Sequence, residues 1–215
     1  MKKVCIIADS LAAQRPNGIN KESRWPQILK NILAPVNFVT YARSLSTTKS
    51  IPKKINKIES DLYIIQLGIV DCAPRLFSYW ESRVLYRLPS FIRKIVIHLS
   101  KKYRVQSTSR SYVNLDKFKS NIENLINKVS EAPIIYIKII NPDKSMLKKN
   151  PEILSSITSY NRAISLLEQE HENFHTVEIP HTSVNVYTLD DGYHLSECGH
   201  RYLADTLLSM IVKIS

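Results

Sequence analysis

Five short apolar runs, rich in β-branched residues, recur along the chain between segments with helical spacing. Each run is almost continuously apolar rather than alternating, which is typical of parallel strands that helices cover on both faces. The alternation of runs and helical segments predicts an α/β fold with a mainly parallel sheet. The predicted strands cover residues 4–8, 36–40, 62–67, 134–140 and 176–179.

The segments between these runs carry apolar residues at helical spacing. Over residues 153–170, for example, Ile157, Tyr160, Ile164 and Leu167 follow one another at three- and four-residue steps and form one apolar stripe. Helices covering a five-stranded parallel sheet on both faces make a three-layer α/β/α sandwich. The predicted helices cover residues 24–33, 49–58, 115–129, 153–170 and 196–214.

Residues 76–112 break this alternation, because they carry helical spacing among many Lys and Arg residues with a single acid, Glu81. We expect one domain over residues 1–215, with a helical cap inserted at about 76–112. Two interpretations of the cap stay open. It either holds an anionic, partly apolar ligand or is a pair of surface helices whose charges are solvated.

The chain has 30 Lys and Arg against 19 Asp and Glu, a net charge of +11. This excess favours an anionic partner, such as an acidic substrate, an acyl donor of the acyl-CoA type or an anionic membrane touched peripherally. Zinc-finger spacing and RNP signatures are absent from the sequence, so we expect no nucleic-acid binding. A lysine-rich solvated surface would also explain most of the charge.

The sequence predicts a cytoplasmic location. No stretch approaches the roughly 20 apolar residues that span a bilayer, and the first apolar run is too short for a secretory signal. The cysteines Cys5, Cys72 and Cys198 are odd in number and lack CxxC spacing, which is typical of a reducing compartment.

Ser10 directly follows the first predicted strand and the acid Asp9. Ligands of open α/β sheets bind at the carboxyl ends of strands, and a helix that follows there can direct N–H groups at a developing oxyanion. Ser10 is therefore a candidate nucleophile. A serine at this place also commonly serves as a helix cap or turn former.

Asp191 and His194 lie three residues apart before the last predicted helix. An imidazole is the general base suited to a serine near neutral pH, and a carboxylate in the same turn can hold its tautomer. An ordinary turn is the alternative. A metal site from Asp191, His194, Cys198 and His200 is disfavoured, because this spacing matches no common zinc knuckle. We expect no metal and no cofactor.

The stretch from Gly68 to Arg75 follows the third predicted strand. A glycine at a strand end allows close approach of a substrate, and Asp71 and Arg75 could line the same cleft. A tight strand-to-helix turn, with Asp71 as its cap and Pro74 in the first helical turn, explains these residues equally well.

In this order, Asp9-Ser10, Gly68 to Asp71 and Asp191 to His194 resemble blocks I, III and V of the SGNH (GDSL-like) hydrolases. The resemblance spans nearly the whole chain and implies a flavodoxin-like three-layer fold. It further implies that Ser10 attacks an ester carbonyl, His194 takes its proton and Asp191 orients His194. The backbone N–H of Ser10 would be one donor to the oxyanion.

The chain departs from the SGNH pattern at the oxyanion hole. Val70 stands where the family has a donating asparagine, and residues 42–46 show no clear block II glycine. Losing one oxyanion donor typically costs about 10²–10³ in rate. The Gly68 backbone, Arg75 or, with less support, Arg43 are the candidate replacements.

These features predict a serine esterase or O-acyltransferase, and the resemblance favours O-acyl groups of a carbohydrate as its substrate. A lipid esterase or thioesterase is a second interpretation. A non-catalytic protein that binds an anionic glycan or a lipid-linked ligand on the same fold is the third.

Overall fold

A five-stranded sheet forms the centre of the computed structural model, which describes residues 1–13, 19–51, 55, 58–103, 107–129, 131–180 and 184–214. Its strands are β1 (Lys3–Ala8), β2 (Asn37–Ala42), β3 (Leu62–Gln66), β4 (Ile134–Ile137) and β5 (Phe174–Val177). They lie in the order β2-β1-β3-β4-β5, and all neighbours are parallel. This is the flavodoxin-like order, so the predicted fold class is confirmed.

Helices cover both faces of the sheet, as the continuous apolarity of the strands predicts. One face carries α1 and α9, and the other carries α5 and α7. Within the described residues the helices are α1 (Trp25–Ile32), α2 (Ile69–Cys72), α3 (Tyr79–Arg87), α4 (Ser90–Tyr103), α5 (Leu115–Lys128), α6 (Lys144–Lys149), α7 (Ile153–Glu170), α8 (Val184–Tyr187) and α9 (Glu197–Ile214).

Three strands differ from their predicted bounds by two residues or more. β2 ends at Ala42 rather than at residue 40. β4 ends at Ile137 rather than at residue 140, because the side chain of Asn161 on α7 takes over both backbone groups of Ile139. Asn161 accepts the Ile139 N–H at 2.9 Å and donates to the Ile139 carbonyl at 2.8 Å. β5 begins earlier than predicted, at Phe174, which pairs with Ile134. The polar residue His175, between Phe174 and the predicted start at Thr176, hid this start from the apolar pattern. β5 also ends at Val177 rather than at residue 179.

Four of the five predicted helices begin and end within one residue of α1, α5, α7 and α9. The predicted helix over 49–58 includes residues 52–54 and 56–57, which lie outside the described residues. Its predicted start overlaps a 3-10 turn, Thr48–Ser50.

The segment predicted as a helical cap contains α3 and α4, followed by a 3-10 turn at Thr108–Arg110. Residues 104–106 of this segment lie outside the described residues. Ser78 begins α3 with a capping box, because it accepts the N–H of Glu81 while the Glu81 carboxylate accepts the N–H of Ser78. None of the helices in the described ranges is long and apolar enough to span a bilayer.

Candidate active site

Ser10, His194 and Asp191 come together at the carboxyl edge of the sheet. Ser10 lies in the turn that follows β1, and the other two residues lie in the turn before α9. His194 Nδ1 lies 2.6 Å from Asp191 Oδ2, and His194 Nε2 lies 3.2 Å from Ser10 Oγ. The three side chains therefore form a hydrogen-bonded chain with the connectivity of a nucleophile, a base and an orienting acid.

The Asp191 carboxylate holds the turn from Asp191 to His194 in place through hydrogen bonds from the backbone. Asp191 Oδ1 accepts the backbone N–H groups of Tyr193, at 3.3 Å, and of His194, at 3.0 Å. Partial burial works to raise the pKa of Asp191, but these bonds and the His194 ring outweigh it and lower the pKa. Asp191 is therefore ionised across the neutral range and accepts the Nδ1 proton, so Nε2 is the nitrogen that accepts from Ser10.

The imidazole is screened from solvent on one side. The His194 side chain is 7% exposed, against 36% for that of Asp191, and the Tyr193 ring lies 4.1 Å from the imidazole, centroid to centroid. Low exposure strengthens the His194–Asp191 interaction, because fewer water molecules screen it.

Asp9, directly before the candidate nucleophile, is fully buried. Its Oδ1 accepts the N–H of Leu11 at 2.9 Å, so the carboxyl group spans the turn that presents Ser10. Burial raises the pKa of Asp9 to about 7, and the charge of Asp71 adds to the rise. In the sequence, Asp9 is recognisable only as part of a motif. Its burial follows from the tertiary fold.

Asp71 has no exposed surface, so the expectation that it contacts a substrate is not met in this structure. Its Oδ1 accepts the N–H of Thr48 at 2.9 Å and the Thr48 hydroxyl at 2.6 Å. Asp71 therefore fixes the turn after β2 to the start of α2. Gly68, which precedes α2, has a φ of +129°, and a Cβ there would lie 2.6 Å from Ile139 Cδ1. Only glycine fits this position.

The side chain of Arg75 is hydrogen-bonded to the backbone of Val70. The Arg75 guanidinium donates to the Val70 carbonyl at 3.1 Å and lies 4.2 Å from the centre of the Tyr112 ring. Val70 is a buried core residue and has no side-chain donor. Arg43 is exposed directly after β2, and its backbone N–H donates to the Ala8 carbonyl at 3.2 Å.

Leu45 is a feature that sequence reasoning missed. It lies three residues beyond β2, near the end of β1, and has a φ of +61°. A bulky residue with positive φ is rare and commonly marks a functional backbone conformation. Its side chain is 67% exposed. A leucine carries no sequence signal for this conformation, whereas a glycine would have carried one.

Arg24 and His200 were also not predicted beside the triad. Together with Ser10, His194 and Ile19 they line a small cavity. His200 Nδ1 accepts the N–H of Trp25 at 3.3 Å, so the ring caps α1 rather than its own helix. Burial and the nearby Arg24 lower the pKa of His200 to about 4, so the ring is neutral and carries its proton on Nε2.

A second, larger cleft of about 270 Å³ adjoins this cavity. The two share Ala13 and Arg24, and the cleft is lined further by Lys21 and Lys30. Arg24 Nε is buried and has no hydrogen-bond partner among the described residues. Three cations therefore line a cleft that adjoins the cavity of Ser10 and His194, and one of them, Arg24, lines both.

The disfavoured metal site does not assemble. His194 is engaged with Asp191 and Ser10, His200 caps α1, and Cys198 is exposed. The described part of the chain contains no cluster of three or more His, Cys, Asp or Glu side chains placed to hold a metal ion.

No protein-family sequence model matches this chain, and no curated protein matches it in sequence. Similar solved structures include a lipase/acylhydrolase from Enterococcus faecalis, with 17% identity, a TM-score of 0.67 and coverage of 98% of this chain and 95% of that one. A G-D-S-L lipolytic family member from Veillonella parvula has 13% identity, a TM-score of 0.62 and 97% coverage of both chains. The acetylxylan esterase Axe2 from Geobacillus stearothermophilus has 15% identity, a TM-score of 0.60 and 97% and 93% coverage. The chain thus has the α/β fold of the GDSL-like hydrolases.

Proposed function

We propose that this protein is a serine-dependent carboxylic-ester hydrolase that forms an acyl-enzyme on Ser10. The observation that carries the proposal is the hydrogen-bonded chain from Ser10 through His194 to Asp191. If Ser10 were only a turn former and His194 only a helix cap, there would be no reason for their side chains to meet, because 184 residues of sequence separate them. The GDSL-like fold supports the same activity.

The first half of the reaction acylates Ser10. As Ser10 Oγ attacks the ester carbonyl carbon, its proton passes to His194 Nε2, and Asp191 stabilises the imidazolium. The tetrahedral intermediate then collapses, and His194 gives this proton to the departing alcohol. The 3.2 Å separation of Nε2 and Oγ is within reach for this transfer.

The second half releases the acyl group. A water molecule loses its proton to His194 Nε2 and attacks the acyl carbon, and Ser10 Oγ leaves with that proton. A sugar hydroxyl that enters instead of water would make the enzyme an O-acyltransferase. The two outcomes differ in whether an added acceptor diverts acyl groups from water.

The oxyanion needs donors that Val70 does not supply. We assign the backbone N–H of Ser10 as one donor and those of Ser44 and Leu45 as the others, because this turn follows β2 beside the end of β1. The left-handed conformation of Leu45 supports the assignment, since strained backbone is found where N–H groups are aimed at a ligand. Backbone donors would make a side-chain amide dispensable.

The substrate we propose is an anionic O-acylated carbohydrate. The acetylxylan esterase with this fold supports the carbohydrate. The cleft lined by Lys21, Arg24 and Lys30 supports the negative charge, because a partly buried guanidinium whose Nε has no hydrogen-bond partner among the described residues favours a carboxylate or phosphate. An acyl donor of the acyl-CoA type would place its phosphates in the same cleft.

Hydrolysis of p-nitrophenyl acetate by the purified protein tests the mechanism. We expect Ser10→Ala and His194→Ala each to lower kcat/KM at least about 10³-fold, and a fluorophosphonate probe to label Ser10. Ser159→Ala, an exposed serine on α7, is the matched control and should keep full activity. If all variants and the parent are inactive and the probe leaves Ser10 unlabelled, the protein is a binding protein instead.

The same assay with paired esters tests the substrate. Arg24→Gln should raise KM about tenfold or more for an ester that carries a carboxylate and leave KM for its uncharged analogue unchanged. An equal effect on both esters would remove Arg24 from substrate binding without touching the serine mechanism.

A further inference from the structure

α4 presents its apolar side chains to solvent. Phe91, Ile95, Leu99 and Tyr103 follow one another at four-residue steps, and each is between 49% and 74% exposed. None of the residues of α4 is fully buried. A surface helix normally turns such a stripe toward the core, so this one lacks its usual protein partner within the described residues.

α3 extends this apolar surface. Trp80 is 71% exposed and Val84 is 59% exposed, and both line an apolar groove of about 420 Å³ that Val96 of α4 also lines. Contiguous exposed apolar surface of this kind marks a site of interaction with another molecule or a membrane. We call α3 and α4 together the α3–α4 hairpin.

The charge of the hairpin identifies the kind of partner. Residues 76–103 carry six cations and one acid, Glu81. Several cations lie against the exposed rings: Arg93 is 5.5 Å from the Tyr86 ring centre, and Lys102 is 5.5 Å from that of Tyr103. A second copy of the hairpin would bring like charges together, so the surface fits an anionic partner. The cations are Arg83, Arg87, Arg93, Lys94, Lys101 and Lys102.

We propose that the α3–α4 hairpin docks on the surface of an anionic lipid bilayer. An exposed apolar stripe with aromatic residues and flanking Lys and Arg is the surface that helices use to lie in the interface plane. Phe91, Ile95 and Leu99 would enter the headgroup and acyl boundary, while the cations meet lipid phosphates. This surface goes beyond the ester-hydrolase function and does not depend on Ser10.

Cosedimentation with vesicles tests the docking. The full chain should bind mixed phosphatidylcholine–phosphatidylglycerol vesicles and should bind pure phosphatidylcholine vesicles at least about tenfold more weakly. Added salt should weaken binding to the mixed vesicles, because it screens the cations. The Ser10→Ala variant should bind as the parent does, which separates this proposal from the catalytic one.

Paired variants locate the surface. Phe91→Ser/Ile95→Ser should weaken binding at least about tenfold, whereas Leu166→Ser/Val212→Ser, exposed elsewhere, should not. Lys94→Gln/Lys101→Gln should weaken binding about 30-fold, against no change for Lys148→Gln/Lys149→Gln on α6. Unchanged melting temperatures and p-nitrophenyl acetate turnover would show that each variant is folded.

Three results would overturn the proposal. They are no binding to the mixed vesicles, equal binding to neutral and anionic vesicles, and equal loss of binding in the hairpin and control variants. Light scattering that shows a dimer in the parent and a monomer in Phe91→Ser/Ile95→Ser would assign the surface to a second copy instead.

Discussion

The turn from Asp191 to His194 can form only because Gly192 lacks a Cβ. Its φ is +85°, and a Cβ there would lie 2.0 Å from Asp143 Oδ1. Asp143 in turn caps α6 through the Met146 N–H at 2.9 Å, and its own N–H donates to the Gly192 carbonyl at 3.1 Å. One glycine thus lets the turn that carries the base pack against the start of α6.

We expect Gly192→Ala to lower kcat/KM more than tenfold and the free energy of unfolding by about 1–3 kcal/mol. The added methyl group must push the turn away from Asp143, and His194 moves with it. Turnover of p-nitrophenyl acetate and urea denaturation measure the two effects. Asp190→Ala, exposed two residues away, is the control. Unchanged kcat/KM in Gly192→Ala would show that the turn does not position the base.

Three elements meet through Asp71 at the start of α2. The Thr48 hydroxyl donates to the Asp71 carboxylate, and Asn121 Nδ2 of α5 donates to Thr48 Oγ1 at 3.0 Å. All three side chains are buried. The turn after β2, the first turn of α2 and α5 are therefore joined by one polar network on the side of the sheet that carries α5 and α7.

Thr48→Val keeps the shape of the side chain and removes the hydroxyl from this network. We expect it to lower the free energy of unfolding by about 2–3 kcal/mol, because Asp71 and Asn121 both lose a buried hydrogen-bond partner. Urea denaturation measures the change. The matched Thr158→Val, on the exposed side of α7, should change stability by less than about 0.5 kcal/mol. Similar losses in both variants would count against the network.

Two carboxyl groups, those of Asp9 and Asp71, are fully buried in the part of the chain that the structure describes. Burial raises the pKa of Asp9 to about 7 and that of Asp71 to about 6, although bonds from Thr48 work against the rise at Asp71. Each also has one buried carboxyl oxygen without a hydrogen-bond partner among the described residues. Protonation would reduce the cost of burying the pair.

Asp9 and Asp71 should therefore make stability fall as pH rises from about 4 toward their raised pKa values, while His200, whose pKa is lowered, contributes an opposing rise between about 4 and 6.5. An unfolded Asp loses its proton near pH 3.9, so in this range the two carboxyl groups bind more protons in the folded chain than in the unfolded chain. Each retained proton contributes up to about 1.4 kcal/mol per pH unit to the slope. Asp9→Asn should flatten this dependence in urea denaturation, and Asp205→Asn, exposed on α9, should not. Parallel curves for the parent and Asp9→Asn would contradict a raised pKa.

Much of the fold could be predicted from the sequence, because strands and helices are local patterns. The five apolar runs and four of the five helical stripes lie where predicted, since an apolar stripe of the right period has to be buried. β4 and β5 were misplaced at their ends. There a single distant side chain, Asn161, and a cross-strand partner, Ile134, decide where the ladder stops and starts.

The sequence by itself determined the α/β alternation and the Asp191–His194 pair, because both are contained in short stretches of chain. Only the tertiary structure decided that Ser10 meets His194, that Asp71 faces Thr48 rather than a ligand, and that Leu45 adopts a left-handed conformation after β2. The tertiary structure also decided which apolar helix stripe stays exposed to solvent, as the stripe on α4 does. The physical reason is that burial, hydrogen bonding and exposure depend on which distant segment packs against a residue, and local pattern does not carry that information.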